Sequence, residues 1–164
     1  IGNNRKALMT AKERAIELGY QAVILTSALE GEAREVGKVL ASIGSEVHLH
    51  QSPVRPPAIL LAGGETTVTV KGEGIGGRNS ELVLGALPKL CRGVTILSFG
   101  TDGVDGNSDA GGAIGDMGSF RSDAYDFLER NDSASYFGRD DSLIVTGPTG
   151  TNVGDIVILA VRKE

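Results

Sequence analysis

The sequence predicts an α/β fold of three layers, with helices on both faces of a mixed, mainly parallel β-sheet. Segments with apolar residues at helical spacing alternate along the chain with short β-branched runs. The hydrophobic content of 40% and the charged content of 23% are typical of a globular domain. The chain of 164 residues is long enough for one such domain and too short for two, so residues 1–164 are predicted to form a single domain.

Helices are predicted where apolar residues recur three and four positions apart, and strands where β-branched or alternating runs are bounded by turn residues. In the first half, the predicted elements are a helix at 4–18, a strand at 21–27, a helix at 30–44 that stops at Gly44, and strands at 46–50, 58–64 and 66–72. In the second half, they are a helix at 82–90, a strand at 94–100, a helix at 122–129, a short segment at 133–137, and strands at 142–147 and 155–161. Neighbouring strands that can form hairpins make the sheet mixed.

The composition excludes some classes of partner. A formal charge of −5, four Phe, three Tyr and no Trp oppose nucleic-acid binding, which needs a basic surface and stacking platforms. No apolar run approaches the roughly 18 residues of a membrane-spanning helix. Cys91 is the single cysteine, so no intrachain disulfide forms and a reducing cytoplasm is expected. The chain begins with Ile1 and enters a helical pattern at once, so we expect it to be part of a larger protein.

Three glycines ahead of a predicted helix match the pattern G-x-G-x-x-G. Gly72, Gly74 and Gly77 supply it, and Asp102 lies 25 residues beyond, so a dinucleotide fingerprint is one interpretation. The preceding segment alternates like a half-exposed strand, whereas this fingerprint normally follows a buried one. A second interpretation is that backbone N–H groups at the helix N-terminus, with Arg78 beside them, attract an anion. A tight turn with Arg78 in solvent is the structural alternative.

The segment GTDGVDGNSDAGG at 100–112 brings Asp102, Asp105 and Asp109 together without any Lys or Arg. Like charges about 4 Å apart repel by roughly 1 kcal/mol even in water. Three ionised carboxylates therefore spread into solvent, cap backbone N–H groups, or share a Mg²⁺ or an Arg. Because ligands of open α/β sheets collect beyond the carboxyl ends of strands, a bound cation or polar ligand is the favoured prediction.

The same segment partly matches a calcium loop. Asp105, Asn107, Asp109 and Asp116 fall at positions 1, 3, 5 and 12 of an EF-hand. Ala110 stands where the EF-hand requires Gly, and the preceding segment is a predicted strand instead of a helix. A dedicated calcium hand is therefore disfavoured.

A third polar loop, TGPTGTN at 146–152, precedes the last predicted strand. It is either a simple turn or a rim of hydroxyl, amide and N–H groups suited to a hydroxy acid or a phosphate, with Thr149 and Asn152 as candidates. The sequence near His48 and His50 offers no Cys, Asp or further His at metal-ligand spacing, so a structural role is expected for both.

Four motifs occur in a fixed order: GGETTVTVKGEGIGGRNSELVL, GTDGVDGNSDAGGA, NDS followed by YF, and TGPTGTNV. Together they resemble the C-terminal region of class II glycerate kinases, the MOFRL family, whose members are often labelled hydroxypyruvate reductases. The similarity spans most of the chain. Two places depart from the family pattern: Asn107 and Ser108 replace the usual proline after DG, and Gly154 replaces the usual Asn after TNV.

The resemblance implies a two-domain enzyme that transfers the γ-phosphoryl group of ATP to D-glycerate, commonly giving 2-phosphoglycerate, in a cleft between its domains. This chain would be the second domain, and a Rossmann-like first domain with a Lys important to phosphoryl transfer would be absent from it. We therefore expect this chain to be inactive alone. The full-length protein would use ATP and Mg²⁺, with D-glycerate, nucleotide and the missing domain as partners and a homodimer possible.

The resemblance also implies roles for individual residues. The predicted catalytic residues are Arg78, Asp102 and Asp105. The predicted substrate-binding residues are Gly76, Gly77, Asn79, Glu81, Thr149 and Asn152. The predicted metal ligands are Asp105 and Asp109. Arg78 would pair with the glycerate carboxylate or the moving phosphoryl group, while the carboxylates would hold Mg²⁺ or accept the substrate hydroxyl proton.

Two rival functions stay open at this point. An NAD(P)-dependent hydroxypyruvate reductase would use the loop at 72–77 for pyrophosphate and Asp102 for a ribose hydroxyl, but it lacks an obvious His or Lys to exchange a proton with the substrate. A non-catalytic module would bind a metal or ligand without turnover.

Overall fold

The computed structural model describes residues 2–163. Its helices are α1 (Asn4–Glu17), α2 (Ala33–His50), α3 (Arg78–Ala86), α4 (Ala124–Glu129) and α5 (Ser133–Phe137), with 3-10 turns at Leu87–Lys89 and Met117–Ser119. Its strands are β1 (Gln21–Leu29), β2 (Ala58–Gly64), β3 (Val94–Gly100), β4 (Gly112–Asp116), β5 (Leu143–Ile144) and β6 (Asp155–Val161). Most of the helices and strands predicted from periodicity are therefore present.

Within residues 2–163, six strands form one sheet in the order β1-β2-β6-β3-β4-β5. The pair β1–β2 is parallel, and the other neighbouring pairs are antiparallel. The predicted α/β class and mixed sheet are confirmed, whereas the prediction of a mainly parallel sheet is wrong. The reason is β6, which enters antiparallel between β2 and β3 and so separates two strands that run in the same direction. Apolar runs identify a buried strand without showing which neighbours it will pair with.

Alternation along β2 assigns its side chains to two faces of the sheet. Leu60 and Ala62 belong to the hydrophobic core that α2 and α3 cover. Leu61 lies on the opposite face, where α1 packs over β1 and β2 and buries Leu8 completely. The predicted three-layer arrangement is therefore confirmed.

The two helices α2 and α3 pack closely because each has a glycine at their contact. A Cβ atom on Gly37 of α2 would lie 2.1 Å from the carbonyl oxygen of Leu82. A Cβ atom on Gly85 of α3 would lie 2.5 Å from the carbonyl oxygen of Arg34. Since both neighbours are backbone atoms in a close-packed interior, neither contact can relax easily. These glycines therefore set how near α3 approaches α2.

One predicted strand is part of a helix. Residues 46–50 form the end of α2, so His48 and His50 lie in its last turn. The helix continues through Gly44 because that position packs against the sheet: a Cβ atom there would lie 2.8 Å from a methyl carbon of Val94. The prediction was wrong because glycine often ends a helix, whereas Gly44 is required here by the lack of space beside Val94.

Two further predictions differ from the structure. Residues 66–72 form no strand and make only an isolated bridge, between Thr67 and Glu32. Strand β4 was not predicted, because its sequence GAIGD is rich in glycine and lacks an apolar run. Gly112 is needed there, since a Cβ atom would lie 1.9 Å from the carbonyl oxygen of Ser98 on the neighbouring strand. Across residues 2–163, no helix is both long and apolar enough to cross a membrane.

The helix contact predicts a sharp response to an added methyl group. Gly85→Ala should lower the free energy of unfolding by about 3 kcal/mol, because the new Cβ atom overlaps backbone of α2. Urea denaturation of this chain measures the change. Gly138→Ala is the matched control: Gly138 has an ordinary helical φ of −63°, and the substitution should stay within about 0.5 kcal/mol. Equal effects of the two substitutions would contradict the close packing of α2 and α3.

Candidate functional site

Several loops leave the sheet at one edge. Strands β2 and β3 end at Gly64 and Gly100, and their register places both residues beside Asp155, where β6 begins. Three loops therefore meet at this edge of the sheet: the segment after β2, the aspartate loop at 100–112 and the loop at 146–154. The N-terminus of α3 reaches this edge as well, because Arg78 contacts Asp155.

A cavity of about 980 Å³ lies at this edge, with Glu65 and Asn107 in its wall. The predicted site residues that line it are Gly76, Gly77, Arg78 and Glu81. Among the described residues, the predicted site residues outside its lining are Asn79, Asp102, Asp105, Asp109, Thr149 and Asn152. The structure thus gathers the glycine loop, residues 72–77, and the start of α3 around one cavity, whereas Asp102, Asp105 and Asp109 are outside its lining.

Arg78 is the first residue of α3, and carboxylates hold its guanidinium from two sides. Its Nε and Nη2 atoms donate to the two carboxylate oxygens of Asp155, at 2.6 and 3.0 Å. Its Nη1 atom lies 2.9 Å from Oε1 of Glu65. The Asp155 side chain is 7% exposed and that of Glu65 is 67% exposed, so one partner is fixed in the protein and the other stands in solvent.

These contacts raise the pKa of Arg78 above its ordinary value, chiefly through the hydrogen bond with Asp155, and so keep the guanidinium protonated. Sequence reasoning missed Asp155. The available signal was a charged residue at the start of an otherwise apolar strand, DIVILAV, since a buried carboxylate normally requires a partner.

Asp105 caps α3. Its Oδ1 accepts a hydrogen bond from the backbone N–H of Asn79 at 2.8 Å, and its Oδ2 accepts from the backbone N–H and the hydroxyl of Ser80 at 2.9 and 2.6 Å. The residue is 1% exposed, and this burial raises the pKa of its carboxyl group above the usual value, while the hydrogen bonds from Ser80 and Asn79 oppose the rise. The anion attracted by this helix N-terminus is therefore the carboxylate of Asp105 itself.

The close approach of Asp105 explains two glycines of the site. A Cβ atom on Gly77 would lie 2.4 Å from Oδ1 of Asp105. Gly106 has a φ of +62°, in the left-handed region, and a Cβ atom on it would lie 2.1 Å from the carbonyl oxygen of Gly76. The glycine loop and the aspartate loop are thus packed backbone to backbone.

The remaining two aspartates lie apart from Asp105. Asp102 accepts hydrogen bonds from the backbone N–H of Val104 at 3.1 Å and from the side-chain amide of Asn152 at 3.3 Å. Asp109 is exposed. Across residues 2–163, no group of three or more His, Cys, Asp or Glu side chains could hold a metal ion. Both carboxylate oxygens of Asp105 already accept hydrogen bonds from α3, so metal binding by Asp105 and Asp109 stays a prediction.

Glu81 connects α3 to two other segments. Its carboxylate accepts from Nε of Arg34 at 2.8 Å and from the side-chain amide of Asn131 at 3.0 Å, although the residue is only 1% exposed. The Oδ1 atom of Asn131 in turn accepts from the backbone N–H groups of Lys71 and Gly72. These bonds hold the beginning of the glycine loop, and substrate contact by Glu81 stays a prediction.

Asn79, Thr149 and Asn152 contact protein groups and do not line the cavity. Asn79 is buried and accepts a hydrogen bond from the hydroxyl of Ser98 at 2.6 Å. Thr149 donates to the carbonyl oxygen of Thr101, and the amide of Asn152 donates to Asp102. These contacts join the loop at 146–154 to the aspartate loop, and substrate contacts by the three residues stay a prediction.

The structural context of a dinucleotide fingerprint is missing in the described residues, because β2 ends at Gly64 and no strand leads directly into the glycine loop. Gly72 and Gly74 pack against another segment instead: Cβ atoms on them would lie 2.4 and 2.6 Å from the carbonyl oxygen of Arg130. The EF-hand match fails in the same way, since β4 occupies the end of that segment and Asp116 caps the turn after it through the backbone N–H of Gly118.

The cap predicts different effects for two neighbouring aspartates. Asp105→Ala should lower the free energy of unfolding by about 2–3 kcal/mol, because it leaves buried N–H donors of α3 without an acceptor. Asp109→Ala should change it by no more than about 0.5 kcal/mol, because Asp109 is exposed. Thermal and urea unfolding without added metal measure both. A large fall in the free energy of unfolding for Asp109→Ala, or no fall for Asp105→Ala, would contradict the capping role of Asp105.

Comparisons with known proteins agree with the resemblance seen in the sequence. A D-glycerate 2-kinase of Thermotoga maritima is 46% identical over 166 aligned residues, which cover 96% of this chain and 40% of that protein. A glycerate 2-kinase of Pyrococcus horikoshii is 38% identical over all of this chain and 39% of its own length. This chain therefore spans about two fifths of the length of these curated relatives.

A crystal structure of glycerate kinase from Thermotoga maritima superposes on this chain with a TM-score of 0.95 and 45% sequence identity. The match covers 98% of this chain and 41% of that one. The MOFRL family model matches residues 58–155, which include the glycine loop, the aspartate loop and both members of the Arg78–Asp155 pair. This chain belongs to the MOFRL family.

Proposed function

We propose that this chain is part of an ATP-dependent glycerate kinase that transfers the γ-phosphoryl group to D-glycerate and gives 2-phosphoglycerate. The names of the relatives support a glycerate kinase, and one observation in this chain carries the proposal. That observation is the Arg78 guanidinium, held by Asp155 at the wall of a cavity large enough for a small hydroxy acid.

Phosphoryl transfer depends mostly on positioning and on stabilising negative charge, since the transferred group carries charge on its equatorial oxygens. A guanidinium suits this task because it keeps its charge and presents a planar set of donors to carboxylate or phosphate oxygens. In the proposed mechanism, Arg78 binds the carboxylate of D-glycerate or the moving phosphoryl group. Asp155 fixes the plane of the guanidinium, so that the Nη1 edge faces the cavity.

The other predicted site residues act through the shape of the site in this proposal. Gly76 and Gly77 allow the glycine loop to lie against the aspartate loop, while Asn79 and Glu81 hold α3 and the loop in place. Asp102 is proposed to accept the substrate hydroxyl proton. Thr149 and Asn152 are proposed to hold the segment that carries Asp102, with which Asn152 forms a hydrogen bond.

The rest of the machinery is proposed to come from the remaining length that the relatives have and this chain does not. We propose a Rossmann-like N-terminal domain with the phosphoryl-transfer Lys, a cytoplasmic location and a homodimer. Mg²⁺ would accompany ATP and would supply positive charge beside its phosphates. Both carboxylate oxygens of Asp105 already accept hydrogen bonds from α3, so no step is assigned to Asp105 or Asp109 through the metal.

A coupled assay on the full-length protein separates this proposal from its rivals. ATP- and Mg²⁺-dependent phosphorylation of D-glycerate, with 2-phosphoglycerate as the product by NMR, supports the kinase. NADH or NADPH oxidation with hydroxypyruvate would support the reductase instead. Glycerate binding without turnover would leave only a binding module, and this chain tested alone is expected to be inactive.

Arg78→Ala should lower kcat/KM for D-glycerate at least tenfold, which corresponds to about 1.4 kcal/mol of transition-state stabilisation. Arg78→Lys should recover only part of the loss, because an ammonium group cannot replace the planar fork. Arg14→Ala is the control, since Arg14 forms an exposed ion pair with Glu17 on α1. A smaller loss for Arg78→Ala in a folded protein would exclude Arg78 from the transition state.

Asp155→Asn should also lower kcat/KM about tenfold, because the guanidinium loses the charged partner that fixes its plane. The double variant Arg78→Ala, Asp155→Asn should be no slower than Arg78→Ala alone, since Asp155 acts through Arg78. Steady-state kinetics of the three proteins measure this coupling. Losses that multiply would show instead that Asp155 contributes independently of Arg78.

A further inference from the structure

We propose that Glu65 is a built-in counter-ion of Arg78, which occupies the anion-binding edge of the guanidinium and is displaced when an anionic substrate binds. The inference rests on the proposed function, because it concerns the same cavity and the same arginine. It assigns to Glu65 a role in keeping Arg78 paired until an anionic substrate arrives.

The two carboxylates of the Arg78 cluster differ in the edge that they use. Asp155 takes the Nε and Nη2 atoms in a two-bond arrangement. Glu65 approaches Nη1, at 2.9 Å, and lines the same cavity as Arg78. Glu65 therefore pairs with the Nη1 atom that Asp155 leaves free, in an arginine that lines the cavity.

The same two carboxylates differ in how readily a ligand can displace them from Arg78. Asp155 has a side chain 7% exposed and lies at the start of a central strand. Glu65 has a side chain 67% exposed, and its pair with Arg78 is of the exposed kind that adds little stability and exchanges with other ions. An arriving carboxylate or phosphate can thus replace Glu65 without disturbing Asp155.

The backbone beneath Glu65 is fixed, so the exchange needs only a side-chain rotation. The N–H of Glu65 donates to the carbonyl oxygen of Leu29 at 2.8 Å. The preceding Gly64 has a φ of +150°, and a Cβ atom on it would lie 2.2 Å from the backbone nitrogen of Leu29. Rotation about the side-chain bonds of an exposed Glu takes place in picoseconds to nanoseconds, which is far faster than turnover.

This arrangement predicts a choice among substrates. Any molecule that uses the Nη1 edge of Arg78 must replace one ionic contact with another. A hydroxy acid can do so through its carboxylate, whereas a neutral polyol such as glycerol offers only hydroxyl groups and would leave Arg78 with a weaker partner. Glu65 therefore modestly lowers the affinity for any ligand that must displace it, and only an anion restores an ionic contact to Arg78.

The test uses Glu65→Gln in the full-length protein, with Glu30→Gln as the matched control. Glu30 lines the same cavity and loses the same charge, but it forms no ion pair with Arg78 in the described residues. For Glu65→Gln we expect a two- to fivefold lower KM for D-glycerate and a kcat within twofold of wild type, because an exposed ion pair is weak. For Glu30→Gln we expect a KM within 1.5-fold of wild type, roughly the scatter for a surface substitution.

Three kinetic results would overturn the proposal. A tenfold lower kcat for Glu65→Gln would mean that Glu65 takes part in the chemistry, and a raised KM would mean that it binds the substrate directly. Equal falls in KM for Glu65→Gln and Glu30→Gln would mean that the overall charge of the cavity, and not the contact with Arg78, limits anion binding.

A binding measurement separates this inference from the proposed function. Inorganic sulfate is titrated calorimetrically into wild type, Glu65→Gln, Arg78→Ala and the double variant, without nucleotide. The inference requires tighter sulfate binding by Glu65→Gln than by wild type and no such gain in the Arg78→Ala background. If that pattern is found and D-glycerate is not phosphorylated, the counter-ion role stands and the kinase proposal fails; if kinase activity is present and the pattern is missing, the counter-ion role fails.

Discussion

The ion pair between Arg78 and Asp155 joins the first residue of α3 to the first residue of β6, and the shape of the cavity depends on it. Taking a carboxylate out of water is costly unless a partner compensates, so Asp155 requires the guanidinium near it. That requirement brings the helix N-terminus to the edge where β2 and β3 end. The glycines at the contact of α2 with α3 permit the approach, because a Cβ atom on Gly85 would meet backbone.

The acidic residues around this edge do not act as one cluster. The carboxylate of Asp105 accepts hydrogen bonds from backbone N–H groups and a hydroxyl at the N-terminus of α3. Asp155 pairs with Arg78, and Asp102 accepts hydrogen bonds from Val104 and Asn152. Each buried carboxylate has found donors inside the chain, so the concentration of aspartates does not need a cation to be stable. Glu65 differs because its exposed position leaves its pairing with Arg78 reversible.

Much of the secondary structure followed from local pattern, and the failures share one cause. The strand at 155–161 was predicted with its observed limits, because a run of apolar β-branched residues has little alternative. The sequence predicts a helix end at Gly44, yet Gly44 lies within α2, where Val94 leaves no room for a side chain. A glycine can mark either a turn or a position where a side chain would not fit, and the sequence does not distinguish the two cases. Strand direction failed for a related reason, since β6 is inserted between β2 and β3 by contacts distant in the chain.

The sequence by itself determined the family, through four motifs in a fixed order, and it determined that Arg78 stands beside a glycine loop at a helix N-terminus. Only the tertiary structure decided which carboxylates face Arg78. Asp155 and Glu65 are 77 and 13 residues away from it, and ion pairing depends on distance in space. The aspartates that are close together in sequence are divided by the fold among a helix cap, a loop contact and solvent, because each carboxylate is bound by the donors that surround it after folding.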